Sequence, residues 1–291
     1  MKKMTIVFLA MIVSVFTTYG QDKGNSLLWK ISGKNLEQPS YLYGTFHLLC
    51  PDDLQIQDKV TDAMEACDQL VLELDFDDPS VMPTIQKNMA YSDGTTAKDY
   101  LNEQEYNMLS DFFRDSLNLP FERLESIKPF FLSSMTLMHF LSCQPASFEQ
   151  RLTSMAGDLE MEIKGLESVE EQIQFIDNLS MDYQKKMLME NLKNYDSSKM
   201  MFDRMIGYYL NDNLKGLHSI SESYMSEDYA EFKEQLLTRR NQRWVPVIEE
   251  LIGDNASFIA VGAAHLPGKE GVIQLLRQAG YKVEPVYQPF R

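Results

Sequence analysis

Two of the chain's four histidines close matching segments. Tyr41-Leu42-Tyr43-Gly44-Thr45-Phe46-His47 reads as a strand running into Gly-x-x-His. Ile259-Ala260-Val261-Gly262-Ala263-Ala264-His265 repeats the pattern. Glycine permits a tight backbone after a strand, so each imidazole should sit just past a strand's C-terminal end. That edge is where α/β sheets place their ligands. If the two strands are near neighbours, His47 and His265 converge, and paired imidazoles suit a divalent cation. Glu73 is the third candidate. It lies in Gln69–Asp75 (QLVLELD), where an acid between Leu72 and Leu74 needs a partner or a task. Asp75 follows on the same side. Two imidazoles and a carboxylate hold a metal with one position left for water. The metal would acidify that water and polarise a carbonyl, with a spare carboxylate as general base. A single Gly-x-x-His is more often a hydrogen-bonded loop, so the repetition and Glu73 carry the reading. His139, in an apolar stretch, reads as core. His218, in a polar helical stretch, reads as surface.

The elements that would position these residues divide into two kinds. Both ends of the chain look like α/β structure. Ser26–Ser32 and Ser40–Thr45, split by the turn-rich Gly33–Pro39 segment, read as strands; Gln69–Asp75 alternates with period two and reads as a third, with a helix near Leu54–Cys67. Ser257–Val261 and Lys282–Tyr287 are strands around a short helix, Gly271–Ala279. From Ala97 to Gly253 helical signals dominate. Asn102 with Glu105 and Ser168 with Glu171 have the spacing of capping boxes. Pro129–Leu141 reads as a buried helix, and Met161–Leu166 as a short strand among the helices. Pro246 should kink or restart a helix over Tyr229–Leu251. The expectation is one α/β domain over 21–291. Its central mixed β-sheet is built from the N- and C-terminal segments, and the helical middle, about 97–253, forms an insertion or cap.

Residues 1–20 read as a signal peptide. Lys2 and Lys3 precede an apolar run from Thr5 to Phe16, and Thr18 and Gly20 are small enough for cleavage before Gln21. The run is short of the roughly 20 residues a spanning helix needs. The mature chain is thus expected to be periplasmic or secreted, with no membrane span. Net charge is −16 from 27 Lys and Arg against 43 Asp and Glu; loss of the two signal-peptide lysines makes it −18. So acidic a chain, without a basic cluster, argues against nucleic acid or an anionic membrane as partner. The three cysteines, Cys50, Cys67 and Cys143, leave at least one thiol free and match no zinc spacing. They read as buried structural thiols, with a Cys50–Cys67 disulfide as the other arrangement.

Five ordered blocks resemble the TraB/GumN family, which includes the animal Tiki proteins. They are LLWKISG with SYLYGTFHLL (Leu27–Leu49), LVLELD (Leu70–Asp75), KGLESVEEQIQFIDNL (Lys164–Leu179), RRNQRWVPVI (Arg239–Ile248) and FIAVGAAHLPGKEGVIQLLRQAGYKVEPV (Phe258–Val286). The resemblance implies an α/β domain related to erythromycin-esterase and ChaN-like folds. It also implies metal-dependent, peptidase-type activity in the Tiki branch. Mn²⁺, Co²⁺ and Zn²⁺ are the candidate divalent cations, and the sequence does not choose among them. Carried over by position, the active-site residues are His47, Glu73 and His265. Arg240, Asn241 and Glu167 stand behind them. Arg240 would bind a carboxylate or stabilise developing negative charge, or else form a helix-surface ion pair. Asn241 and Glu167 would contact substrate, or Glu167 would serve only the turn before its capping box. Trp244 reads as core. Family members often carry Asp in the stretch matching Ser147–Leu152. This chain has Phe148-Glu149-Gln150 there, and Glu149 is left outside the site.

Three functions fit these readings. The first is an exported metal-dependent hydrolase acting on a peptide or protein. The second is a non-enzymatic binding protein, in which the histidines hold a small ligand, haem or a metal. The third is an interaction factor whose helical cap is the binding surface. One fold hosts many functions, so resemblance alone does not choose among them.

Overall fold

The computed structural model describes residues 24–224 and 230–289. The expected signal peptide lies outside these residues. Six strands are present: β1 (Leu28–Ser32), β2 (Ser40–Thr45), β3 (Gln69–Leu72), β4 (Glu162–Gly165), β5 (Ser257–Gly262) and β6 (Lys282–Pro285). They form one sheet in the order β4-β3-β5-β2-β1-β6. The run β4-β3-β5-β2 is parallel, and β1 pairs antiparallel with both β2 and β6. This is the expected mixed α/β sheet. Strands from both ends of the chain are joined by β4, the short strand read among the helices.

The sequence explains the arrangement. β2, β3 and β5 are buried along their whole length, as central parallel strands covered on both faces must be. Leu42, Leu70, Val71, Ile259 and Val261 lie in the main core with Trp244, Ile248 and Leu276 from covering helices. The helical middle supplies two further apolar clusters, one around Phe113, Phe121 and Leu132 and one around Ile173, Ile176 and Leu236. Both expected capping boxes form, at Asn102 with Glu105 and at Ser168 with Glu171. Among the described residues no helix is long and apolar enough to cross a membrane.

Three local expectations are corrected. The strand over Gln69–Asp75 ends at Leu72, so Glu73 stands at a strand end and not inside the strand. Of the two outcomes expected at Pro246, a kink or a restart, the restart does not occur: the helix Arg239–Asp254 runs through it. Pro246 is exposed, and so is Gln242, whose carbonyl would otherwise accept the missing N–H. Cys50 and Cys143 form a disulfide, with Cα atoms 5.7 Å apart, and are neither buried thiols nor a Cys50–Cys67 pair. Cys67 is the free thiol. It sits one turn beyond Ala63, whose carbonyl accepts from its Sγ.

Candidate active site at the strand ends

Each of the four parallel strands delivers one polar side chain at its C-terminal end. Across the edge, β4 leads to Glu167, β3 to Glu73, β5 to His265 and β2 to His47. Glu73 and Glu167 are neighbours because parallel pairing continues past the strands: Leu166 N donates to Leu72 O and Glu167 N to Glu73 O. β2 and β5 are adjacent, with Gly44 beside Val261 and Thr45 beside Gly262, so the two Gly-x-x-His segments meet as anticipated. The motif glycines serve close approach. A side chain at Gly44 would run into Ala263 and Leu266. One at Gly262 would put its Cβ 3.2 Å from His47 Nε2, 3.5 Å from Glu73 Oε1 and 3.6 Å from His265 Cδ2. One point beside Gly262 is therefore bounded by all three candidate residues.

The helix Arg239–Asp254 supplies the second layer. Its buried face carries Arg240, Asn241, Trp244, Ile248 and Ile252, spaced as one helical stripe. A π-helical turn, Lys233–Thr238, precedes it, a feature common beside functional sites. Arg240 spans the strand ends. Its Nε donates to Glu167 Oε1 at 3.0 Å, its Nη2 to Glu167 Oε1 at 2.6 Å and also to Glu73 Oε2, and its Nη1 lies 3.3 Å from His265 Nε2. Trp244 Nε1 donates to Glu167 Oε2 at 3.0 Å, and the indole lies against the His265 ring with centroids 4.4 Å apart. Asn241 Nδ2 donates to the carbonyls of His265 and Glu270, so its Oδ1 faces His265 Nδ1 at 2.6 Å. That contact requires the proton on Nδ1 and leaves Nε2 as the acceptor. Glu73 Oε1 accepts from Gly262 N–H at 2.8 Å.

The electrostatics follow from burial and these contacts. Burial, and then the charge of Arg240, hold the His265 pKa down at about 3, so its imidazole is neutral. Burial disfavours the Glu73 carboxylate, but Arg240, both imidazoles and the Gly262 N–H together hold its pKa well below the usual range. Glu167 moves the other way: its burial outweighs the help from Arg240. His47 differs from all of these, because its side chain is 60% exposed. Its surroundings lower its pKa, but the hydrogen bond and charge of Glu149 prevail and raise it to about 9. His47 Nδ1 lies 2.8 Å from Glu149 Oε1.

The sequence reading thus named residues that do come together: His47, Glu73, His265, Arg240, Asn241 and Glu167. Arg240 is 7% exposed and not a surface ion pair. Glu167 is bound by Arg240 and Trp244, and it also serves its own turn, accepting from Gln172 Nε2 of the following helix at 3.1 Å. Glu149 was missed. The only signal available was that it is the nearest acid to a position where relatives carry Asp. Asp75, expected to share Glu73's face, has Asp77 and Asp78 as its charged neighbours. His139 stacks with Phe112 and Tyr195 as a half-buried packing residue, and His218 is half-buried.

The TraB/PrgY/gumN family pattern matches residues 27–285. The chain belongs to this family. It is also similar to the zebrafish (Danio rerio) protein "Metalloprotease TIKI2", 21% identical over 317 residues. The similarity covers 89% of this chain and 61% of that protein, so the chain matches about three-fifths of its relative's length. No solved structure matches.

For a TraB/PrgY/gumN protein with a metalloprotease relative, the fit of a divalent cation is a direct question. Among the described residues, no three His, Cys, Asp or Glu side chains are close enough together to hold a metal ion. The reason is visible: the Arg240 guanidinium lies against Glu73 and His265, and His265 Nε2 is 4.0 Å from Glu73 Oε1. The chemistry of the donors nevertheless fits. Both imidazoles have Nδ1 engaged by a side-chain oxygen, from Glu149 or Asn241, which is how ligating histidines are usually oriented. Their Nε2 atoms are the remaining ring nitrogens: that of His265 is unprotonated, and that of His47 becomes a donor when a cation displaces its proton. Binding would require the guanidinium to leave His265 while keeping Glu167.

Proposed function

We propose that this TraB/PrgY/gumN protein is an exported metal-dependent hydrolase of the peptidase type. The observation that carries the reading is the grouping of His47, Glu73 and His265 around one point beside Gly262. The metalloprotease relative supports it. In this reading His47, Glu73 and His265 hold a divalent cation, Mn²⁺, Co²⁺ or Zn²⁺. When bound, the cation supplies an activated water and polarises the substrate carbonyl. The chain's own groups do the rest. Asn241 fixes the His265 tautomer. Glu167 and Trp244 hold the Arg240 guanidinium, which faces the negative charge that develops on the carbonyl oxygen. Glu167 and Asn241 act by positioning, since their polar atoms are taken up by protein partners. The substrate is a peptide or protein segment met outside the cytoplasm after cleavage before Gln21.

The test is the metal content of the mature protein after reloading, beside His47→Ala and His265→Ala, followed by peptide hydrolysis with and without chelator. One cation per chain in the unmodified protein, lost in both variants together with hydrolysis, is the expected result. Three folded, metal-free proteins would overturn the reading and favour a binding protein for a small ligand.

A further inference from the structure

His47 is the one candidate ligand that burial does not hold in place. Its side chain is 60% exposed, whereas those of Glu73 and His265 are 10% and 5% exposed. An exposed imidazole on the turn after β2 would sample several rotamers unless tied down. Two structural features converge on it. The turn is fastened to the segment before the helix Phe148–Asp158 at two successive residues. Leu49 bridges Ala146, with Ala146 N donating to Leu49 O at 2.8 Å, and Cys50 is bonded to Cys143. Glu149 then sits in the first turn of that helix. Both its carboxylate oxygens are engaged: Oε1 by His47 Nδ1 at 2.8 Å and Thr45 Oγ1 at 3.3 Å, Oε2 by Ser147 Oγ at 2.6 Å. Ser147 is itself the helix N-cap, accepting from Gln150 N at 3.3 Å, and a helix N-terminus favours a carboxylate.

We propose that Glu149 is a positioning residue for His47, and that the Cys50–Cys143 disulfide is the covalent half of the same clamp. Glu149 sets the ring direction of His47, and its tautomer once the ring is neutral, so that Nε2 points at the space beside Gly262. The disulfide keeps the two segments in register so that this hydrogen bond forms on an exposed surface. The inference rests on the proposed function for its catalytic meaning. The positioning itself does not depend on that reading.

The experiment separates the two. With four histidines in the chain, the ring nitrogens can be followed by long-range ¹⁵N–¹H correlation through the carbon-bound ring protons, which reports tautomer and averaging. The protein is compared with Glu149→Ala, Glu149→Asp and a Cys50→Ser/Cys143→Ser double variant. His265, held by Asn241, is the internal control for folding. The expected result is a single ring state for His47 in the unmodified protein and averaging toward free imidazole in Glu149→Ala and the double variant. Recovery is expected in Glu149→Asp, and His265 should be unchanged throughout. Titration with Zn²⁺ should show at least about 10-fold weaker binding in Glu149→Ala and in the double variant. An unaltered His47 state in Glu149→Ala, with His265 native, would overturn the proposal. If Zn²⁺ binds none of the proteins but His47 responds as described, the clamp stands and the metal reading fails.

Discussion

The two halves of the strand-end site are held by opposite means. On the β3–β4–β5 side, Glu73, Glu167, Arg240, Asn241 and His265 form a buried network in which nearly every polar atom has a protein partner. On the β2 side, His47 stands in solvent and is held by one carboxylate and, at a distance, by a disulfide. Burial makes the first half rigid because any departure strands a charge in low dielectric. The second half has no such penalty, so its order must come from added constraints. A site assembled this way has a fixed wall and an accessible one.

The comparison is broken most severely at Arg240. Arg240→Met leaves two buried carboxylates without their cation, and urea unfolding should show a loss of about 3–5 kcal/mol. A loss below about 1 kcal/mol would mean that water reaches the network and that the two halves do not differ. The Cys50→Ser/Cys143→Ser double variant should cost about 2–4 kcal/mol in the same assay, because the bond closes a long loop in the unfolded chain. Its His265 environment should stay native. The histidines sharpen the contrast. His265→Ala orphans Asn241 Oδ1 and should cost about 1–3 kcal/mol, whereas His47→Ala, which loses only a solvent-screened pair with Glu149, should cost no more than about 1 kcal/mol. The proposed function requires both to abolish metal binding. Equal stability costs would remove the distinction between the walls. The smallest effect concerns Cys67. Burial, and then Asp68, push its thiol up to about 12. At pH 8 its thiolate fraction is small, so iodoacetamide should modify the native protein far more slowly than the unfolded one. Exactly one thiol should be modified after unfolding without reductant. Two or three would contradict the Cys50–Cys143 bond.

Much of the fold was legible because its signals are local. Strand-like apolar runs at both ends, capping boxes at Asn102 and Ser168 and the strand-like Met161–Leu166 each record a backbone preference within a few residues. The repeat of Gly-x-x-His was visible for the same reason, as was the isolated acid Glu73. The strand end at Leu72 was not, since it depends on how β3, β4 and β5 terminate against one another. Nor was the continuation of the helix through Pro246, which lies on the helix's exposed face with Gln242.

The sequence by itself determined the strand-end histidines, the acid between leucines, the Arg-Asn pair and the helix and strand types around them. The Arg-Asn pair rests on the family resemblance; the others follow from side-chain chemistry and short-range periodicity. Only the tertiary structure decided that β2 and β5 lie side by side, that Arg240 reaches three of the four strand ends, and that Cys50 pairs with Cys143. It also decided that Glu149, 102 residues from His47 in sequence, is the group that holds it. Such pairings arise from burying the whole sheet at once, and no segment carries them alone.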